Sequence, residues 1–537
     1  MKKLSFCVLL LSTLPYLHAQ EGSILWQKEI PSARQDFLAG LTLTIDRQIL
    51  LVGSSIQTPK SQADGRLQNN GYDYHIVKLD QQGNKLWDRY YGGNRHDYLV
   101  SSVATQEGGF LLAGTSYSSQ GPYKKEHSLG GADLWILKLD ENGEEQWQKT
   151  LGTSRNDQAS AAVQSADLGF FAAGNTAGLS QEFGTTDTFV VKLDKAGNST
   201  AQILLGGSGR NELQKMIPTR DGGVLLGLYS TSGIVKPDQE PLAAFLPVAE
   251  EKQTRVFSVF KSEDSYGQGD YWVVKLDKEG KLQWQRSFGG EGEDCIKTLS
   301  FFEDGYLIGG ESRSGASGNK QTALKEGIDL WLVALNEQGD ELWQKSYSFG
   351  AYDVLMSQNT ITAVSGKTKG FLLGGYTQAG EKAAKTDETF WMLYLDPEGK
   401  EAWRKHVEGK NKQKEERLVE ARLQSDGSYL LAGTTAMQLG EEKWKVVKIG
   451  DKDLEQLIEK QDIRIYPNPV QDYAYVEIGF DFKETELRVF DMSGRMVYQT
   501  KTNNKVTKIN TGALPQGVYV VTAQTPEKTV NAKIVKR

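Results

Sequence analysis

The chain rewrites one short pattern about every 60 residues, and no other feature narrows its fold as far. The pattern is a Leu-Asp-x-x-Gly turn followed by a tryptophan: LDQQGNKLW (79–87), LDENGEEQW (139–147), LDKEGKLQW (276–284), LNEQGDELW (335–343) and LDPEGKEAW (395–403). Trp87 and Trp147 are 60 residues apart, Trp284 and Trp343 59, and Trp343 and Trp403 60. A further copy, LDKAGNSTA (193–201), keeps the turn but carries Ala201 in the tryptophan position. A fixed period of this size means an array of equivalent supersecondary units, none able to bury its apolar face alone.

Each period holds four short strands. An apolar run such as DLWILKLD (133–140) or YWVVKLD (271–277) leads into the turn, where Asp caps and Gly supplies the positive φ of a tight hairpin. The tryptophan strand follows, then a strand of small residues such as ASAAVQ (159–164), then a glycine-ended apolar run. Seven such runs end at Gly53, Gly114, Gly174, Gly227, Gly310, Gly375 and Gly433. They are apolar on both faces, as strands between neighbouring sheets must be. The fold class is therefore all-β: a seven-bladed β-propeller over residues 20–452. The last unit, ending at KWKVVKIG (443–450), lacks a tryptophan strand, and the first begins with a spare one, ILWQKEI (24–30). Pairing the two closes the ring and leaves no bare edge. Trp26, Trp87, Trp147, Trp284, Trp343 and Trp403 are then structural, each packing between its blade and the next. An indole removing ~150–250 Å² from water contributes roughly 4–6 kcal/mol as an upper bound.

The ends of the chain read differently from the body. Lys2 and Lys3, an apolar stretch from Leu4 to Leu17 and a small residue at Ala19 have the layout of a secretory signal peptide over residues 1–19. No later stretch approaches 18 apolar residues. Cys7 falls in the leader, so Cys295 stands alone and no intramolecular disulfide forms. Residues 464–537 hold 11 Lys/Arg and 7 Asp/Glu, a net of +4, which leaves −11 of the total −7 on residues 1–463. An acidic body argues against nucleic acid as a partner.

After a charged linker (453–463) the repeat stops. Residues 464–537 alternate strands and turns in the manner of a small antiparallel β-sandwich. They resemble the C-terminal sorting domain of type IX secretion cargo, through Tyr466-Pro467-Asn468-Pro469, Asp491 with Gly494 in the turn, Gly517, Tyr519, and the closing Lys533 to Lys536. That resemblance implies a Bacteroidota-like bacterium, handling by the secretion machinery and its sorting peptidase, and release or attachment to surface lipopolysaccharide. The protein is expected to be secreted or held at the outer-membrane surface. The body resembles uncharacterised secreted bacterial propeller repeats. Its turn spacing is also similar to that of quinoprotein dehydrogenases, but seven units, no adjacent cysteines and no Thr before the turn glycine depart from that family. No cofactor and no metal are expected.

In this strand order, long loops gather on one face: 115–131, 312–327 and the insertion 230–268, with Phe245, Phe257, Phe260 and Tyr266. An unknown ligand is expected on that face, since function sits on variable loops over a rigid scaffold. The same face receives a recurring charged pair: Arg34 and Asp36, Arg95 and Asp97, Arg155 and Asp157, Arg210 and Glu212. Arg and carboxylate around a channel mouth suit a sugar or an anion through bidentate bonds. The pairs equally suit turn capping between blades, and regular recurrence favours that role. Catalytic motifs are missing: His75, His96, His127 and His406 lie at no metal-ligand spacing, and no nucleophile elbow or phosphate loop occurs. The expected function is non-catalytic binding of glycan, protein or surface polymer. A carboxylate-dependent glycan hydrolase or lyase, and a purely structural surface component, are the alternatives.

Overall fold

The computed structural model describes residues 23–30, 36–56, 71–121, 123–177, 185–234, 254–303, 305–350, 352–377, 389–407, 415–436 and 442–537. The expected leader, Arg34 and much of the long insertion lie outside them. Seven antiparallel sheets follow one another at 36–91, 97–151, 157–206, 211–288, 294–347, 353–407 and 415–450, here blades 1 to 7. Blade 7 takes its fourth strand from the front of the chain: Ser23–Ile30 runs antiparallel to Lys443–Gly450, with Ile24 facing Ile449 and Ile30 facing Trp444. The ring closes there, as expected for a seven-bladed propeller. Seven apolar clusters hold it, one at each interface between neighbouring blades, the seventh joining Leu38 and Leu51 of blade 1 to Leu430 and Trp444 of blade 7.

The repeating tryptophans explain the repeating glycines. Trp26, Trp87, Trp147, Trp284 and Trp343 are half-buried on outer strands, and each lies over the turn glycine of the next blade: Gly83, Gly143, Gly197, Gly339 and Gly399. A Cβ at any of these glycines would come within 3.3 Å of the indole. At Gly339 it would sit 2.7 Å from the Trp284 ring, and φ there is +82°, a conformation L-residues avoid. The indole N–H groups of Trp26 and Trp284 add hydrogen bonds to the same turns, at Gln81 O (3.1 Å) and Glu337 O (3.0 Å). Trp403 has no such turn ahead of it. It joins the cluster containing Leu454 of the helix Lys452–Leu457, in the segment expected as linker.

The fully buried indoles are a second set, on the third strands: Trp135, Trp272, Trp331, Trp391 and Trp444. Trp135, Trp272 and Trp331 donate to the glutamine that follows the outer tryptophan, Gln148 (3.1 Å), Gln285 (2.9 Å) and Gln344 (3.3 Å). In blade 1 His75 takes this place, stacked on Tyr90 at 4.1 Å. Burial lowers its pKa to about 4, so it is a neutral core residue at physiological pH. Lysines near the end of four of the third strands are also structural. Lys138, Lys192, Lys275 and Lys448 are buried and reach carboxylates in their own blades' other turns, Glu107 (3.0 Å), Asp167 (2.8 Å), Asp221 (2.8 Å) and Asp426 (2.9 Å).

Blade 3 corrects the expected loop at 230–268. Arg255–Phe260 is a fifth, outermost strand, parallel to Ser199–Gly206, with Ala201 facing Arg255 and Ile203 facing Phe257. It covers the ground an outer tryptophan would occupy. Ala201, Ile203 and Leu205 are consequently fully buried, and Ile203 takes the indole's place over Gly280. The short, β-branched and aromatic run VFSVF (256–260) is the one local trace of it.

Residues 463–536 form a three-stranded sheet (Ile463–Tyr466, Tyr473–Ile478, Val506–Asn510) packed on a four-stranded one (Thr485–Asp491, Met496–Thr502, Gly517–Gln524, Thr529–Lys536) around Val476, Val489, Val521 and Ile534.

Two substitutions test the role of the rim. Trp284→Ala should lower the free energy of urea unfolding by roughly 3 kcal/mol, near the low end for a large aromatic because the ring is only half-buried. Ala201→Trp restores the repeat's own pattern, yet it should destabilise by about 2 kcal/mol, because the covering strand leaves no room for an indole.

Candidate functional site

On the long-loop face the first residue of the inner strand in each of blades 1 to 6 is a buried side chain turned back into the loops. Asp97 accepts from Gly93 N (2.7 Å) and Ser118 Oγ (2.9 Å), and Asp157 from Thr153 N and Thr153 Oγ1 (3.0 Å). Asp294 accepts from Gly290 N (2.8 Å) and Ser314 Oγ (2.8 Å), and Asp353 from Phe349 N (2.6 Å) and Thr377 Oγ1 (2.8 Å). Asp36 is buried at the same position. Burial pushes the carboxyls of Asp97, Asp157, Asp294 and Asp353 above the ordinary range, against the hydrogen bonds they accept. Lysines secure the longer loops: Lys124, Lys261 and Lys320 are buried and donate to the carbonyls of Ser118 (2.7 Å), Ser232 (2.8 Å) and Ser314 (2.8 Å). The aspartates of the charged pairs therefore organise loops and present no carboxylate to solvent.

The fourth pair is out of register with the others. Bridges pair Ala132 with Asn156, Thr186 with Arg210, Gly269 with Glu293 and Ile328 with Tyr352, so Arg210 matches Asn156 and not Arg155. Asn211 holds the aspartate's place and accepts from Ser230 Oγ (2.8 Å) and Ser232 Oγ (2.9 Å). Arg210 and Glu212 bind each other in two parallel bonds, 2.6 and 2.7 Å. The same guanidinium lies 5.7 Å from the Tyr229 ring, and Tyr229 donates to Glu293 Oε1 (3.2 Å), which in turn pairs with Arg313 (3.6 Å). Nearby, Glu311 pairs with Lys297 (3.7 Å), and burial raises its pKa. Each of these carboxylates has a cationic partner. Arg95 and Arg155 are exposed beside their buried aspartates. Cys295 is half-buried, and burial raises its pKa.

What the sequence reading missed is aromatic. Phe37 and Tyr98 are the second residues of the inner strands of blades 1 and 2, while Tyr72, His96 and Tyr117 stand in the loops beside them. Phe37 and Tyr72 have ring centroids 5.0 Å apart, Tyr72 and Tyr98 5.4 Å, and Tyr72 and His96 5.7 Å. His96 stacks on Tyr98 at 5.8 Å with 9° between planes, and Tyr117 stands perpendicular to Tyr98. Tyr72 N donates to His96 Nδ1 (3.2 Å), which fixes the imidazole ring. Phe37 is 45% exposed and Tyr117 39%. Burial raises the pKa of the Tyr72 and Tyr98 hydroxyls, which stay protonated donors at neutral pH. The residues come from different strands of two blades, so no spacing in the chain displays them. The only local signal was an aromatic directly after the loop aspartate in both Asp36-Phe37 and Asp97-Tyr98.

In the C-terminal sandwich, Gly494 (φ +83°) makes the turn after Asp491, which accepts from Ser493 N and Arg495 N, both at 3.0 Å. Asn468 bonds the last strand through Val535 N (3.0 Å) and Lys533 O (3.1 Å), flanked by cis peptide bonds at Pro467 and Pro469. Tyr519 donates to Pro515 O (2.8 Å), while Gly517 and Lys536 pair at the end of the last hairpin. Tyr466 faces the propeller.

Residues 464–537 match the family of secretion system C-terminal sorting domains. Such a domain directs its chain to the cell surface or to secretion through the type IX system. No curated protein matches the chain. Among solved structures it is similar to polysaccharide lyase Uly1 (TM-score 0.44, 9% identity, covering 82% of this chain and 94% of that one). It is also similar to YCF48 bound to D1 peptide (0.38, 7%, 82% and 100%) and to the Synechocystis apocarotenoid oxygenase (0.37, 10%, 70% and 71%). Among the described residues no helix is long and apolar enough to cross a membrane.

Asp157 gives a pH test of the loop aspartates. Its folded-state pKa is raised, so ionisation costs stability at neutral pH, and the cost is lifted as pH falls through that raised value toward the ordinary ~3.9. Asp157→Asn, which copies Asn211, should be at least as stable as the parent at pH 7, with the difference shrinking as pH falls. Asp157→Ala strands its buried donors and should lose about 2 kcal/mol. Urea unfolding at pH 7 and pH 4.5 reads both.

Proposed function

We propose that the exported propeller is a non-catalytic binding protein that holds a carbohydrate on the aromatic platform of blades 1 and 2. The observation that carries this reading is the cluster of Phe37, Tyr72, His96, Tyr98 and Tyr117, with two large rings substantially in solvent. Soluble proteins rarely leave contiguous apolar area exposed without a use for it. Aromatic rings offer flat apolar faces to the C–H faces of a sugar, and Tyr and His add polar edges for its hydroxyls. The platform is held by hydrogen-bonded loops on a closed ring, so little ordering is required on binding.

A hydrolase or lyase is the weaker reading because Glu212, Glu293 and Glu311 are engaged by Arg210, Arg313 and Lys297, which favours a structural role for that network. Once outside the cell, the protein is released or held at the surface, and attachment to lipopolysaccharide is one route to the latter.

A glycan array probed with the full chain should return at least one saccharide class. Tyr98→Ala and Phe37→Ala should each weaken that binding tenfold or more while unfolding remains cooperative. Glu212→Gln should leave it unchanged. Saccharide turnover, or binding indifferent to both aromatic substitutions, would contradict the reading.

A further inference from the structure

The sorting domain lies on the opposite face, against the tight turns, and it lies across the join between the first and last blades. Glu477 accepts Arg47 Nη2 (3.1 Å) and Nε (3.3 Å) on one oxygen and Ser425 Oγ (3.1 Å) on the other. Arg47 belongs to the first turn of blade 1 and Ser425 to the matching turn of blade 7, so one carboxylate spans the join. The contacts continue onto blade 2, where Lys508 pairs with Glu141 (2.8 Å) and Tyr475 donates to Glu107 O (3.3 Å). A Cβ at Gly108 would meet the Tyr475 hydroxyl at 2.1 Å, so the approach is close. The chain leaving blade 7 is tied down as well: Glu459 accepts Val364 N (2.7 Å), and Lys369 donates to Leu457 O (2.8 Å).

Arg47 has a φ of +64°, in a turn where blades 2, 4, 6 and 7 place Gly108, Gly222, Gly366 and Gly427 in the left-handed region and blade 3 places Leu168 (φ +66°). The conformation is shared with Leu168; what distinguishes Arg47 is where its side chain reaches. Its guanidinium pairs with Glu477 and lies 5.0 Å from the ring of Tyr466. Burial pushes the Tyr466 phenol up to about 12, so it stays protonated in this contact.

We propose that residues 464–537 act as a clasp on the ring. The domain follows blade 7 in the chain and grips blades 1 and 2, so it closes the propeller a second time, independently of the strand Ser23–Ile30. Opening the ring at the join requires releasing Arg47 and Ser425 from Glu477 together with the strand.

Hydrogen exchange by mass spectrometry on the full chain tests this. In Glu477→Ala and in Arg47→Gly, amides of 23–30 and 443–450 should exchange about three- to tenfold faster than in the parent, with 211–288 unchanged. Lys501→Ala, which removes an exposed ion pair with Glu484 elsewhere in the domain, should leave the join unaffected. Arg47→Gly is decisive even if Glu477→Ala disturbs the sandwich, because it lies outside that domain and relieves backbone strain. Parental or slower exchange at the join in Arg47→Gly would overturn the proposal, as would equal acceleration in every blade.

Discussion

Everything in this molecule depends on an indole of one blade lying on the turn glycine of the next. The contact repeats around the ring and uses the same two residues to set both the blade's own hairpin and its neighbour's position. Glycine is required for conformation and for space, since the turn needs positive φ and the ring leaves no room for a Cβ. Among the described residues Cys295 is the single cysteine and it is free, so such packing between sheets is what resists separation of the blades. The contact occurs at five of the seven interfaces, and the other two find substitutes: where Ala201 replaces tryptophan, a fifth strand and Ile203 supply the apolar cover, and Trp403 joins the cluster of Leu454.

The rigid ring divides labour between its two faces. Tight turns on one side give a flat surface crossed by the lysine–carboxylate pairs, and the sorting domain rests there. Long loops on the other side are organised from beneath by buried aspartates and lysines, leaving their tips free to differ from blade to blade. Differences are where recognition can arise, and blades 1 and 2 differ by their aromatics while blades 4 and 5 differ by a closed network of charges. The first can accept a ligand face without first breaking ion pairs, and the second cannot.

How much of this the sequence displayed depended on whether a feature was local. The period, the seven units, the spare first strand and the C-terminal sandwich rest on residues close in sequence or on simple counting, and they were legible. Arg210 was misaligned because it sits in an Arg-x-acid triplet, while strand register is set by Asn211, whose amide replaces an aspartate. The fifth strand of blade 3 was hidden inside a long insertion whose short apolar run looked like loop decoration. The aromatic platform left only a faint trace, an aromatic after each of Asp36 and Asp97, since Phe37, Tyr72 and Tyr98 meet only when two blades are folded side by side.

The contact between Trp284 and Gly339 offers the most direct test of the account, through a double-mutant cycle in equilibrium unfolding. If indole and glycine are one device, Gly339→Ala should cost at least about 1 kcal/mol less when position 284 is already alanine, because only the backbone strain is left to oppose it. Strictly additive effects would mean that the two residues act independently, and that the ring is held by something else.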